Sequence, residues 1–152
     1  MNGVSLQILK GVAKRGEVSL ATAIAMARSL HGDHVDQYPL ALLLEDGYLG
    51  VTINHKPAAD AEEMREFFLA RMLYMFTLPK DAEGVIHYLG TRSSGSINPE
   101  NERVFLKAKG ALYLDEQRKK FNDRLWSFAL GLTAGLLAAI SAAWIKGQLS
   151  LP

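Results

Sequence analysis

The chain has 152 residues, with 17 lysines and arginines, 16 aspartates and glutamates, and no cysteine. This length allows one domain of ordinary size plus an appendage, and the lack of cysteine excludes disulfides, thiolate metal sites and cysteine nucleophiles. Residues 1–110 carry 12 basic and 13 acidic residues, and residues 111–152 carry five and three. The positive excess therefore lies beside a long apolar run, which indicates membrane topology rather than a nucleic-acid footprint. The N-terminus has no basic region followed by an apolar stretch, so we expect no export signal.

The first third of the chain predicts three short helices followed by a strand. Apolar residues at helical spacing predict helices over residues 5–13, from the cap Ser19 to about His31, and over residues 35–45. A turn then leads into a strand over residues 48–53.

Two stretches resemble bacterial winged-helix proteins. The order of three helices and a strand, and the stretch PLALLLEDGYLGVTI at residues 39–53, look like the third helix and first wing strand of that family. The stretch RVFLKAKGALYLDEQRKK at residues 103–120 resembles its closing strand and final helix. The resemblance implies a mainly α fold with a small β component, namely a winged-helix-like domain over residues 1–110.

DNA binding by such a domain is disfavoured here, although it stays open as an alternative. A recognition helix needs basic or amide side chains in the major groove, and residues 35–45 contain no lysine or arginine. Contact with nucleic acid would fall to dispersed cations: Lys10, Lys14, Arg15, Arg28 and Lys56.

Residues 57–90 form an insertion where the family has a short hairpin. Within it a helix is predicted over residues 57–78, and a second short helix over residues 81–89. The apolar half of the first helix favours packing on the core. The alternative is a surface for docking a protein partner, because methionine and aromatic side chains suit adaptable recognition; its candidate residues are Phe67, Phe68, Met72 and Met75.

No residue set predicts an enzyme, a cofactor or a metal site. His31, Asp33, His34 and Asp36 have the oxygen and nitrogen atoms that a divalent cation accepts. Neighbouring side chains in one loop seldom converge, however, and helix capping explains the same residues. The Gly/Ser-rich loop over residues 90–102 lacks the ending of a phosphate-binding loop, which favours a linker.

The uncharged stretch of 21 residues at 125–145 predicts a transmembrane helix. At 1.5 Å per residue it extends about 31 Å, close to the hydrocarbon core of a bilayer. The excess of cations before it predicts a cytoplasmic N-terminal domain. We therefore expect a tail-anchored, single-pass protein of a bacterial inner membrane, with a juxtamembrane helix at residues 111–124 and an external tail at residues 146–152. The predicted membrane-interface anchors are Arg118, Lys119, Lys120, Arg124, Trp126, Trp144 and Lys146.

Small side chains recur every fourth residue within the same helix. This spacing lets two helix backbones approach closely, and it favours a homo- or hetero-oligomeric helix contact, of which we expect the homo-oligomer. The contact residues are Ser127, Gly131, Gly135, Ala139 and Ala143.

The sequence thus predicts a non-enzymatic, membrane-tethered winged-helix-like module that binds a protein partner and self-associates through its last helix. The alternatives are a membrane-bound DNA-binding regulator and a small membrane-active effector of phage or defence type.

Overall fold

The computed structural model describes residues 3–27, 30–53 and 65–149, with the side chains of residue 140 and residues 142–149 outside the described part. It is mainly helical with small sheets, as the sequence predicts. The chain forms two compact units, Met1–Leu112 and Tyr113–Pro152.

The described residues of the first unit form a short 3-10 helix and four α-helices that end within the unit. The helices are α1 (Gly3–Arg15), α2 (Leu20–Met26), the 3-10 helix His34–Gln37, α3 (Tyr38–Glu45) and α4 (Arg65–Met75). The predicted cap at Ser19 is confirmed, because its Oγ accepts the Thr22 N–H at 3.2 Å. Helix α2 ends before the predicted His31, since Ala27 is in the extended region and stops the hydrogen-bond ladder.

Two small antiparallel sheets are formed by described residues of the first unit. The strands are β1 (Glu17–Ser19), β2 (Leu49–Val51), β3 (Ile86–Tyr88), β4 (Thr91–Ser93) and β5 (Arg103–Leu106). The larger sheet has the order β1-β5-β2, and β3 pairs only with β4. The last strand in the chain therefore lies between the first two, with Val18 and Val51 both opposite Val104.

The predicted helix over residues 81–89 is not formed. Instead, the Asp81 carboxylate accepts the N–H groups of Glu83 and Val85 at 2.9 and 2.8 Å, and Gly84 has a φ of 79°. This side-chain turn satisfies the amides locally and directs the chain into β3, because aspartate competes with the helical hydrogen bonds.

The core of the first unit lies between the sheet and the helices. Its fully buried side chains come from elements far apart in sequence: Ile8, Leu9, Val12, Leu20, Leu40, Leu43, Leu49, Leu73 and Val104. Gly110, near the start of α5 (Ala108–Leu149), lies directly against the Tyr48 carbonyl oxygen. Any Cβ at this position would overlap that backbone atom, so glycine permits the close approach.

The predicted transmembrane helix over residues 125–145 is wrong. Throughout the described part of the chain, no helix combines the length and the apolar character that a membrane crossing needs. Charged residues occupy the first half of α5, from Lys109 to Arg124, so only the later part of this helix is apolar.

The predicted single-pass topology, tail anchor and location in a bacterial inner membrane all depend on that span, so they are not supported either. Five of the predicted membrane-interface anchors are exposed on α5, namely Arg118, Lys119, Lys120, Arg124 and Trp126. Trp144, Lys146 and the contact residue Ala143 lie outside the residues whose side chains are described.

Candidate functional site

The C-terminal half of α5 exposes an unusual amount of apolar surface. Between residues 125 and 139 every large apolar side chain is more than half exposed, from 57% at Leu132 to 68% at Phe128. These side chains are Leu125, Trp126, Phe128, Leu130, Leu132, Leu136 and Leu137. Burying one such side chain stabilises a structure by about 1.5–3 kcal/mol, so leaving a contiguous group in water is costly. We call residues 125–139 the apolar segment of α5.

One side of the apolar segment has a shallow groove beside a ridge. Ser127, Gly131, Gly135 and Ala139 form the groove, and Phe128, Leu132 and Leu136 border it. Both rows step by four residues, so they run parallel on the helix surface. The structure therefore places four of the five predicted contact residues together on one exposed strip.

Hydroxyl groups on the apolar segment need no outside partner. The Ser127 Oγ donates to the Asp123 carbonyl at 2.9 Å, and the Thr133 Oγ1 donates to the Leu130 carbonyl at 2.9 Å. Since the helix satisfies its own hydroxyl donors, the surface that remains for a partner is apolar.

The four predicted docking residues on α4 do not act as one surface. Met75 is buried, Phe67 and Met72 are half-buried, and only Phe68 is exposed, at 44%. The Phe67 ring packs edge-on against His34, with centroids 5.4 Å apart. Three of the four side chains are thus largely committed to the fold.

Arg71 organises α4 in a way that the sequence alone did not indicate. Its Nη2 donates to the carbonyls of Tyr88 and Leu89 at 3.2 and 2.9 Å and to the Thr91 Oγ1 at 2.8 Å. The guanidinium also lies over the rings of Phe67 and Tyr88, 5.4 and 5.9 Å from their centroids. The one clue was a single charged residue within the apolar run FFLARMLYMF, where a cation needs a partner.

Helix α4 packs against both the 3-10 helix and α3. The Tyr74 hydroxyl donates to the Gly32 carbonyl at 2.6 Å, and the Tyr88 hydroxyl lies 2.9 Å from the His34 Nδ1. Helix α3 is therefore partly covered by α4, and it contains no lysine or arginine.

Three of the five candidate nucleic-acid contacts lie among the described residues, and all three are on α1. Lys10, Lys14 and Arg15 are exposed together on α1. Arg28 and Lys56 lie outside the described residues. The structure thus groups three of the five cations on one helix.

The histidine- and aspartate-rich loop is held by Asp36. This buried carboxylate accepts the backbone N–H groups of Leu30, His31 and Gly32 at 2.8–3.1 Å. Burial raises the pKa of Asp36, but the three N–H donors outweigh burial, so its pKa lies below the ordinary value. Asp33 caps the 3-10 helix through the Val35 N–H at 2.8 Å. Both carboxylates thus serve backbone amides, and the described residues contain no group of three metal-ligating side chains.

A second carboxylate organises the turn before β3. Asp81 accepts the Val85 and Glu83 N–H groups and lies 3.0 Å from the His87 Nε2. The Val85 N–H is the largest cause of a lowered Asp81 pKa. His87 and Asp81 are both substantially exposed, so the pair stabilises a turn at the surface.

Comparison with known protein families, with curated proteins and with solved structures finds no match to this chain.

Proposed function

We propose that this chain is a non-enzymatic interaction module that self-associates through the apolar segment of α5 and carries a winged-helix-like domain in its first unit. The exposed apolar segment is the observation that carries the proposal. The order helix, strand, two helices and strand, with β5 inserted between β1 and β2, supports the winged-helix part.

A second copy of the chain fits the exposed strip because the strip is self-complementary. Its groove and its ridge have the same four-residue step, so the ridge of one helix can enter the groove of an identical helix. Such a contact buries apolar side chains and leaves no polar group without a hydrogen bond, since the local hydroxyls bond to their own helix. In a closed ring of copies, each helix offers its ridge to one neighbour and its groove to the other.

Neither packing within the described chain nor backbone conformation requires glycine at the two glycine positions of the groove. A Cβ at Gly131 or Gly135 would meet nothing within 4 Å, and neither residue has a positive φ. Glycine within a helix costs about 0.8–1 kcal/mol relative to alanine. Close approach of another backbone supplies a reason for this cost at both positions.

The expected assembly contains more than two copies. Trp126, Leu130 and Leu137 lie outside the groove and ridge, and they are 65–67% exposed. A pair of helices that met through the strip would leave these side chains in water, whereas a bundle covers more of each helix.

Sedimentation of the full chain over a range of concentrations tests the proposal. We expect a concentration-dependent mass of at least three 16.7 kDa copies. Replacing both Gly131 and Gly135 with isoleucine fills the groove and should weaken association at least tenfold, or about 1.4 kcal/mol. Thr133→Ile introduces the same side chain outside the groove, so it is the matched control and should retain the assembly.

Two results would overturn the proposal. One is a wild-type chain that stays monomeric at every concentration. The other is an unchanged mass distribution in the double glycine variant. A monomeric chain that floats with phosphatidylcholine vesicles would show that lipid, not a second copy, covers the apolar segment.

A further inference from the structure

The outer face of the larger sheet has an aromatic ring between two cations. Arg103, Phe105 and Lys107 occupy every second position along β5 and just beyond its end, so their side chains point to one face of the sheet. All three are exposed, whereas Val104 is fully buried on the opposite face. The Lys107 N–H extends the ladder, since it donates to the Tyr48 carbonyl at 3.1 Å. We call Arg103, Phe105 and Lys107 the β5 platform.

Glycine at position 50 gives the Phe105 ring its place on the sheet. Gly50 lies directly opposite Phe105 in the pairing of β2 with β5. A Cβ at Gly50 would lie 2.5 and 2.6 Å from the ring atoms Cζ and Cε2, so a larger residue there would displace the ring. The ring therefore packs on the backbone of β2, and 38% of the residue is still exposed. An aromatic surface held in this way can stack with a second ring.

The two cations of the β5 platform have their charge available for an anion. No described residue forms a hydrogen bond or an ion pair with the side chain of Arg103 or Lys107. The two residues lie on either side of Phe105, each about 7 Å from it along the strand. The Lys107 Cε lies 3.1 Å from the Cβ position of Gly50, so the lysine stem runs beside the ring. An anionic group on either side of a stacked ring would thus meet a cation.

The combination of ring and cations favours an unpaired nucleic-acid strand as the ligand. Each nucleotide has a flat base that can stack on an aromatic ring and a phosphate that a basic side chain can bind. The bases of a duplex are paired and stacked on one another, so they cannot reach Phe105. The β5 platform is therefore suited to a single strand, and it is compatible with a chain that does not bind duplex DNA.

Nearby carboxylates limit where such a strand can lie. Glu17 is exposed on β1, directly opposite Phe105, and it would repel a phosphate there. Glu102 is half-buried and accepts the Thr52 hydroxyl. On the β2 side of the ring Gly50 has no side chain, and the Lys107 stem lies there. The most favourable path for the strand therefore runs on the β2 side of the ring.

We propose that the β5 platform binds an unpaired nucleic-acid strand, with one base stacked on Phe105 and the flanking phosphates bound by Arg103 and Lys107. A site with one ring and two cations is small, so we expect a dissociation constant of about 1–100 µM, as in non-specific nucleic-acid binding. The site includes no residue of the apolar segment of α5, so the proposal does not depend on self-association.

Fluorescence anisotropy of labelled decamers with the full chain tests the proposal. A thymidine decamer is compared with a deoxyribose-phosphate decamer that has the same phosphates but no bases. We expect the thymidine decamer to bind at least about fivefold more tightly, because only its bases can stack on the ring. A uridine decamer titrated alongside shows whether the platform prefers RNA or single-stranded DNA. Equal binding with and without bases, or no binding of either the thymidine or the uridine decamer, would overturn the assignment.

Substitution of the ring locates the stacked base. Phe105→Leu keeps an apolar side chain over Gly50 but removes the aromatic surface. The thymidine decamer should then bind as weakly as the base-free decamer, whose affinity should stay unchanged. Phe68→Leu makes the same change at an exposed ring of α4 and should leave both affinities unchanged. A Phe105→Leu variant with the wild-type preference for the thymidine decamer would contradict the proposal.

The salt dependence of binding tests the two cations separately from the ring. Each phosphate neutralised on a single strand contributes about 0.7 to the slope of log affinity against log salt concentration. Replacing Arg103 and Lys107 with glutamine should therefore reduce this slope by about 1.4. Replacing Lys10 and Lys14, which are exposed on α1, makes a matched change of charge and should leave the slope unchanged. An unchanged slope in the first variant would overturn the assignment.

Repeating the titration with the chain in which Gly131 and Gly135 are isoleucine separates this site from self-association. The preference for the thymidine decamer should persist in that chain, because the β5 platform lies in the first unit. Loss of the preference would show that the strand binds elsewhere and would overturn the assignment to β5. The proposed self-association would stand after that result, since sedimentation tests it independently.

Discussion

The Asp36 carboxylate replaces the hydrogen bonds that a continuous helix would have supplied after α2. The helix ends at Met26, and the amides of Leu30, His31 and Gly32 point instead at this one buried side chain. Charged acceptors form stronger hydrogen bonds than neutral ones, so a single carboxylate can stabilise a turn of three amides.

Replacing Asp36 and lowering the pH should both reduce the free energy of unfolding, because each removes the charged Asp36 carboxylate. The Asp36 pKa is lowered in the folded chain, so its stabilisation is present above the unfolded value of about 3.9 and is lost as the pH falls through the folded pKa. Asp36→Asn should cost about 2 kcal/mol or more near neutral pH. The variant should also lose less stability than the wild type between about pH 6 and pH 3.

Denaturant unfolding at the two pH values measures both effects. Glu83→Gln removes an exposed carboxylate and is the control, which should stay within about 0.5 kcal/mol of the wild type. An Asp36→Asn variant with wild-type stability at neutral pH would contradict the role that we assign to the carboxylate.

At the scale of elements, α4 is the connector of the first unit. It contacts the 3-10 helix, α3 and β3, and it bonds to the turn between β3 and β4 through Arg71. The β3–β4 hairpin has only three paired positions, and so short a hairpin is marginal by itself. Its position therefore depends on the guanidinium and on the aromatic side chains around it.

Arg71→Lys should loosen this hairpin while the larger sheet stays intact. Lysine keeps the charge, but it lacks the planar group that stacks on two rings and bonds to three oxygens. We expect amide hydrogen exchange in β3 and β4 to accelerate at least about tenfold, with no change in α1 or β5.

Arg92→Lys makes the same substitution at an exposed position of β4 and should leave the exchange rates unchanged. Equal rates in the Arg71→Lys variant and the wild type would show that the aromatic contacts alone hold the hairpin.

At the scale of the whole molecule, charge argues against a DNA-binding role. The net formal charge is only +1, and binding to duplex DNA rests largely on the neutralisation of phosphates by basic side chains. The three described candidate cations lie on α1, whereas α3 contains no lysine or arginine and is partly covered by α4.

We therefore expect no salt-sensitive binding of mixed-sequence duplex DNA by the full chain at concentrations up to about 10 µM. Fluorescence anisotropy at two salt concentrations measures this. The combined substitution of Lys10, Lys14 and Arg15 with glutamine should then change nothing. Salt-sensitive micromolar binding that this variant lost would restore the DNA-binding alternative.

Local features were predictable where neighbouring residues decide them. The helical spacing of apolar residues predicted α1, Ser19 was placed correctly as a cap, and the last helix was placed in the C-terminal third of the chain. Four of the predicted α5 contact residues lie on one strip, because residues four apart lie on the same face of an α-helix.

Long-range choices were decided only by the tertiary structure. The partner of β1 lies more than 80 residues away in β5, and three-residue strands have too little alternation to reveal a pairing. The sequence also could not show that Asp36 would turn inward toward three amides, or that Gln37 would be buried without a donor.

Composition by itself determined an apolar C-terminal run, a nearly neutral chain and the absence of thiol chemistry. Only the tertiary structure decided how much of that run is exposed. It also showed that no helix among the described residues has the length and apolar character that a membrane crossing needs. The physical reason is that composition fixes the free energy of transferring each side chain from water, whereas the fold determines which side chains are actually removed from it.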